Sequence, residues 1–506
     1  MRKTTKAVSA ILAVIMLIGV MMCAPFGVSA AETYGDFEYS LNDDNTCTIT
    51  KYNGSASDLT IPSEIQGHKV IGISECGASP DYMLDSYGAF ENCKSLTSVT
   101  IPDGVTGIGE SAFCNCTSLT SITISDSVKG IGNWAFCGCT NLTDIKIPGS
   151  VTWISNWAFI GCTSLTSITI SDSVTWIGER AFYNCTSLEN IDIPDSKIIL
   201  GPCRDACGIG GECFSRTKWE ENQPEGVIYA GKIAYSYKGD MPENTEITLK
   251  SGTKGIAEYA FYGRKNLTNI TIPDSVTWIG QEAFEDCTNL TSVTIPSSVT
   301  WIGQEAFEYC TSLTSITIPD SVTSIGYGAF EDCTSLTSIT IPESVSWIGD
   351  KIFSCCTNLT SITIHDGVSN IGDWGLSGCT NLTNITIPES VSWIDDKAFD
   401  GCTSLTIYGY EDSYAQEYAD ENNIPFIVIS DDKIFGDVNG DGKITVEDAT
   451  LIQKAVAGIA TLDDDQTILA DVNGDGEVSV FDVTLIQKYI VGGYSNTGNV
   501  GKPANI

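Results

Sequence analysis

CTSLTSITIPDSVTSIGYGAFED, residues 310–332, restarts at Cys333 with the same pattern. Cysteines stand at 93, 116, 139, 162 and 185, and again at 287, 310, 333, 356, 379 and 402, always 23 residues apart. A fixed period of this size predicts a solenoid in which each coil contacts only its neighbours. Within the unit, Leu313, Ile316 and Ile318 mark one short strand, which Pro319-Asp320 ends because proline removes a ladder donor. Val322 and Ile325 mark a second inward segment, Gly326 permits the following bend, and Ala329-Phe330 closes the coil. Each inward position stacks on its equivalent in the next coil, so a continuous core forms although no coil is stable alone.

The recurrent cysteine first suggests disulfides. Stacked coils, however, repeat at ~4.8 Å with parallel Cβ vectors, which holds successive ladder cysteines outside relaxed bridging geometry. The ladder is therefore expected to be mostly free thiol, each cysteine a small buried residue with a weak S–H donor at the coil's turn.

The remaining sequence caps, interrupts or extends the array. Residues 1–30 read as a signal peptide: Arg2, Lys3 and Lys6, an apolar run over 7–22, and the small-residue cleavage pattern Val28-Ser29-Ala30. Large Met22 before Cys23 argues against a lipoprotein processing site. The formal charge of −38, from 64 acidic and 26 basic residues, becomes −41 on cleavage. Such a surface repels nucleic acid and anionic membrane, and no other run approaches a membrane span. A secreted, extracellular protein attached to a scaffold or cell surface is expected. Residues 34–60, alternating around Asn42-Asp43-Asp44-Asn45, read as an N-terminal β cap.

An insertion over about 195–250 breaks the period. Cys213-Phe214 stands where Ala-Phe is expected, which puts Thr217 at the ladder position. Cys203, Cys207 and Cys213 read as a local disulfide with a spare thiol, or more weakly as a zinc site. The segment around Ala230-Gly231-Lys232 reads as a projecting β-hairpin, either a binding loop or a tolerated excursion. Residues 406–429, with a helix near 413–422, form a C-terminal cap, and 430–435 a short linker.

The unit C-T-S-L-T-S-I-T-I-P-D-S-V-T-x-I-G-x-x-A-F resembles the BspA-like leucine-rich repeat family over residues 58–405, in twelve units of which eleven carry Cys and one Arg264. The resemblance implies a β-rich leucine-rich-repeat solenoid used for binding, with no catalytic residues to carry over.

Residues 436–494 carry a second signature. Asp437, Asn439, Asp441, Lys443 and Asp448 have the spacing of a calcium loop, with Gly442 at the sharp turn and the position-7 carbonyl available. Asp471, Asn473, Asp475, Glu477 and Asp482, with Gly476, repeat it 34 residues later. A hard cation needs several oxygens converging from one tight loop, and two such loops predict two Ca2+ ions. Each is followed by a similar helix, ATLIQKAVAG and VTLIQKYIVG. Aspartate rather than glutamate at position 12, and no entering helix before either loop, make the region similar to a type I dockerin, a small all-α module of two loop–helix units. The resemblance implies folding on calcium and docking to a cohesin module of a cellulosomal scaffold. It places the cohesin contacts at Val446, Glu447 and Lys454 and at Val480, Phe481 and Lys488. Glu447 and Phe481 differ sharply, which argues against symmetric binding by the two faces. Residues 495–506 read as a disordered tail.

Trp153, Trp176, Trp278, Trp301, Trp347 and Trp393 recur just before the second inward isoleucine. They form either a ligand stripe for sugar rings or a protein partner, or covers for neighbouring backbone. Ser315 and Thr317 belong to a hydroxyl lattice that simply suits an exposed sheet. With only His68 and His365 and no nucleophile or zinc motif, a catalytic site has little support, although a hidden carboxylate pair on so acidic a surface is not visible to sequence. The expected function is a non-catalytic secreted binding protein whose solenoid recognises protein or polysaccharide. The alternatives are an adhesin-like surface protein or, least supported, a cryptic polysaccharide-degrading enzyme.

Overall fold

The computed structural model describes residues 32–74, 88–193, 208–209, 211–429, 434–440, 443–491, 498–502 and 504. The signal segment therefore lies outside the described residues, as do Cys203, Cys207, Asp441 and most of the linker. Contacts divide the chain into two compact units, residues 1–240 with 252–260, and residues 241–251 with 261–506.

In both units the 23-residue step becomes strand register. Ser292, Val293 and Thr294 pair in parallel with Ser315, Ile316 and Thr317. Ser98, Val99 and Thr100 do the same with Ser121, Ile122 and Thr123. The central isoleucine or valine of each triplet is buried and its flanking hydroxyls mostly face out, the alternation that a one-faced strand requires. The second inward segment is a two-residue strand, such as Ser324–Ile325, paired with Trp301–Ile302. In the first unit this side runs in parallel from His68–Ile73 to Trp176–Ile177, behind the antiparallel cap strands Glu32–Tyr34, Phe37–Leu41 and Cys47–Tyr52.

Among the described residues the third side has no strand. Its backbone donors instead reach the next coil: Phe307 N–H to Ala329 O at 2.8 Å and Tyr309 N–H to Glu331 O at 3.0 Å. Two non-glycine residues in this turn hold left-handed φ, as in Glu305 at 53° and Tyr309 at 55°. Phenylalanines stack face to face through it, at 4.9–5.7 Å from Phe90 to Phe214 and at 5.1–5.7 Å from Phe261 to Phe353. Tyr52 continues the first ladder into the N-terminal cap, and Tyr418 covers Phe399 edge-on at the other end.

The ladder cysteines are buried among these rings. Each from Cys116 to Cys185, and from Cys287 to Cys402, donates its S–H to the carbonyl 26 residues earlier at 3.0–3.2 Å, Cys310 to Phe284 O for example. All sixteen described cysteines are free. Cys213 fills the alanine position and Thr217 the cysteine position, where its hydroxyl donates to Phe214 O at 2.6 Å. The hairpin forms as Gly226–Ala230 against Ile233–Lys238.

Burial pushes the Cys310, Cys333 and Cys356 thiols well above their ordinary value. Burial also raises Glu285 from 4.5 to about 8 and Glu308 from 4.5 to about 7. A raised folded-state value gives stability that is present below the unfolded value and lost as pH rises through the folded one. The second unit should therefore lose stability from pH 4.5 towards 8 and again above pH 9. Thermal midpoints followed by circular dichroism from pH 5 to 11 should fall in both windows, and a flat profile would contradict the burial.

Candidate functional site: the calcium loops and the exposed faces

The C-terminal residues build their loops from two helices of matching sequence. Thr445 caps helix α1, Val446–Val456, and Ser479 caps helix α2, Val480–Ile490. Each forms a capping box with the aspartate at loop position 12. Asp448 takes the Thr445 N–H at 2.8 Å on one oxygen and the Asn439 N–H at 3.1 Å on the other. Asp482 mirrors it, with Ser479 N–H at 2.9 Å and Asn473 N–H at 3.2 Å. Position 12 thus closes the loop onto its helix. In the second loop Asp471 accepts the N–H groups of Gly474, Gly476 and Asp475 at 2.8–3.2 Å, which folds the loop tightly around that carboxylate.

Asp437, Asp448 and Asp482 are fully buried. The donors on Asp448 and Asp482 are neutral groups of their own loops, and a carboxylate taken out of water at that depth calls for a cation. The groups that could hold such an ion are all oxygen: the Asp471, Asp475 and Asp482 carboxylates, the Asn473 amide and the Glu477 carbonyl. They fit a hard divalent ion of the calcium type. Asp437, Asn439, Lys443 and Asp448 present the matching set in the first loop, whose Asp441 lies outside the described residues.

Two expectations are corrected here. A helix, Asp464–Ala470, does enter the second loop, because Asp463 and Gln466 form a capping box that starts it and Asp471 ends it. Of the residues expected to form a disordered tail, 498–502 and 504 are described, and Val500 and Ala504 among them are buried. Phe435 and residues 499–502 pair through Phe435 N–H to Lys502 O at 2.9 Å and Gly501 N–H to Phe435 O at 2.8 Å. Val500 joins the core of Val438, Ala449, Ile452, Val472, Val483 and Ile486, an apolar contact that overrides the polar composition around it. Phe435 consequently belongs to this module rather than to the linker.

The six residues expected to meet a partner all lie on the surface. Val446 and Val480 are each 63% exposed and Phe481 is 58% exposed, large apolar side chains left in water beside a completed core. Glu447, Lys454 and Lys488 are exposed on the same helices.

The tryptophan stripe does not survive as one surface. Trp278 is fully buried and cannot meet a ligand, whereas Trp176 and Trp301 are half-buried and Trp153, Trp347 and Trp393 are exposed. A Cβ on Gly130 would meet the Trp153 indole at 2.0–2.4 Å, so the ring lies on the backbone of the preceding coil. Gly130→Val is expected to displace that ring, read as a red-shifted tryptophan emission with little change in circular dichroism. A second aromatic pair, Trp134 and Trp157, stacks at 4.8 Å on the strandless side. Its signal was the same 23-residue step.

Coils of parallel strands with a buried S–H and phenylalanine ladder, followed by paired calcium-type loop–helix motifs, define a repeat solenoid joined to a small docking module. Residues 86–203, 231–333 and 302–419 match the BspA type leucine rich repeat region in six copies, and residues 435–491 match the dockerin type I domain. The chain belongs to the BspA-type leucine-rich repeat family and carries a C-terminal type I dockerin. Type I dockerins are calcium-binding modules, and both parts are features of extracellular or cell-surface proteins.

Among solved structures, a leucine-rich repeat protein from Bacteroides ovatus is 26% identical over 79% of this chain and 100% of its own, with a TM-score of 0.33. A leucine rich cell surface protein from Faecalibacterium prausnitzii is 31% identical over 77% of this chain and 97% of its own, also with a TM-score of 0.33. A leucine-rich repeat protein from Eubacterium ventriosum is 24% identical over 73% and 94%, with a TM-score of 0.36. No curated protein matches the chain. Among the described residues no helix is long and apolar enough to cross a membrane.

Proposed function

We propose that this protein is a non-catalytic, secreted binding protein. Its solenoid recognises a protein or polysaccharide, and its dockerin, loaded with two calcium ions, docks it to a cohesin of a cellulosomal scaffold. The observation that carries the reading is the exposure of Val446, Val480 and Phe481 on two helices whose inner faces already form a closed core. Apolar side chains placed so seek a partner surface, while Lys454 and Lys488 supply charge beside them. Glu447 in one face and Phe481 in the other make the faces chemically unequal, so one orientation of docking dominates.

The test is binding of the full chain to an immobilised type I cohesin with calcium and with a chelator. Binding should be lost with the chelator. Phe481→Ala should weaken it by about 2 kcal/mol or more, the range of an interface hot spot, and Glu447→Ala by much less. Equal losses from the two substitutions would remove the preference between faces.

A further inference from the structure

The position just before the second inward isoleucine is not dictated by the fold. Gly130, Ser324 and Asn370 occupy it in coils whose strands pair in register with a tryptophan-bearing neighbour. A tryptophan is therefore not needed there to close a coil. In the second unit this position reads Trp301, Ser324, Trp347, Asn370, Trp393. The large ring returns at every second coil, with a small polar residue between.

The C-terminal end of that run faces water. Trp347 is 44% exposed and Trp393 52%, whereas Trp278 at the same position is fully buried. Exposure of this size is what a flat ring keeps when one face lies on the protein and the other in solvent. Asn370 stands between the two, its strand paired in parallel with that of Trp347 on one side and that of Trp393 on the other. Two strand steps set the backbones of the two tryptophans ~9.4–9.8 Å apart. The Asn370 side chain is half-buried, and among the described residues its amide has no partner. The strands beneath are tied together, because Ser369 Oγ donates to Ser346 O at 2.9 Å and Ser392 Oγ to Ser369 O at 3.3 Å. Beyond Trp393 the ring of Tyr414, from the C-terminal cap, packs at 6.0 Å and ends the row.

We propose that Trp347 and Trp393, with Asn370 between them, form a platform for a neutral, extended β-1,4-linked polysaccharide. The proposal rests on the reading of the solenoid as a polysaccharide binder. An exposed indole face stacks on the C–H face of a sugar ring, and a free amide between two such rings both donates to and accepts from hydroxyls. In an extended β-1,4 chain every second ring presents the same face, and a pair of linked rings is about as long as the gap between the tryptophans. An α-linked chain curves away from a straight row. The formal charge of −38 repels polymers that carry carboxylate or sulfate, which leaves the neutral ones.

The test uses the full chain with calcium. Binding of cellohexaose is followed by tryptophan emission, retention on microcrystalline cellulose by depletion of the supernatant, and hexagalacturonate serves as the anionic counterpart. Wild type should bind the neutral glycan and not the anionic one. Trp347→Ala and Trp393→Ala should each weaken binding about tenfold, the effect of losing an interfacial aromatic, and Trp347→Tyr should keep most of it. Trp153→Ala removes an indole that is 41% exposed but has Gly107 and Gly208 two coils away, and it should change nothing. Glycine, serine and asparagine already fill this position, so circular dichroism and cohesin docking should stay as in wild type. Unchanged affinity in both alanine variants, or an equal loss in Trp153→Ala, would overturn the platform and leave polysaccharide binding in place. Tighter binding of hexagalacturonate would overturn the neutral class. A wild type that docks to cohesin but binds neither glycan would overturn the platform and leave a protein as the ligand of the solenoid.

Discussion

Phe307→Ala should lower the stability of the second unit by about 3–5 kcal/mol. The ring is fully buried, stacked at 5.1 Å on Phe284 and at 5.4 Å on Phe330. Its removal opens a void between two coils that neither neighbour can fill without leaving its own stack. The backbone around it is equally committed: the Phe307 carbonyl accepts the Cys333 S–H at 3.2 Å and the Cys310 N–H at 3.2 Å. Phe307→Leu should cost clearly less than the alanine change, because it leaves a smaller void, and Leu376 already fills the equivalent position fully buried. Urea unfolding followed by circular dichroism separates the two. Each coil contacts only its neighbours, so the alanine variant should also show a broadened transition as the array uncouples there. Equal costs for alanine and leucine would mean that the ladder is held by its backbone and not by its rings.

Much of this was legible because a solenoid repeats its core in its sequence. Cys310, Leu313, Ile316, Val322, Ile325 and Phe330 return at the same step, so burial in one unit predicts burial in most of the others. The loops were legible for a related reason: oxygen ligands at fixed offsets around Gly476 admit few other readings. What could not be read depends on neighbours that differ from coil to coil. Trp278 and Trp393 share one position, yet one is fully buried and the other 52% exposed. The left-handed turn residues were hidden for a physical reason. Sequence rules reserve φ near 55° for glycine, but in Glu305 and Tyr309 the coil-to-coil N–H bonds hold that conformation against a cost of about 1–2 kcal/mol. Val500 was invisible because a single apolar residue in a polar tail has no period to betray it.

The second large effect lies at Asp482, where one carboxylate serves two ends. It completes the capping box of helix α2 by accepting Ser479 N–H and Oγ at 2.9 and 3.0 Å, and it is fully buried at the closing position of the second loop. Asp482→Ala removes both roles. Losing its half of the capping box costs about 1 kcal/mol, one hydrogen bond's worth, and the lost metal removes about 4 kcal/mol more when calcium stands a thousandfold above its dissociation constant. Asp482→Asn separates the roles, because the amide oxygen still accepts the cap's N–H but carries no charge. With calcium this variant should be destabilised nearly as much as the alanine variant. With a chelator the order should invert, since wild type then buries a carboxylate with no cation while asparagine buries a neutral group. Thermal unfolding of the full chain, with the repeat transition as internal reference, reads both states in one experiment. A variant order that is the same with and without calcium would mean that Asp482 is a helix cap alone. An inverted order would tie its burial to the ion.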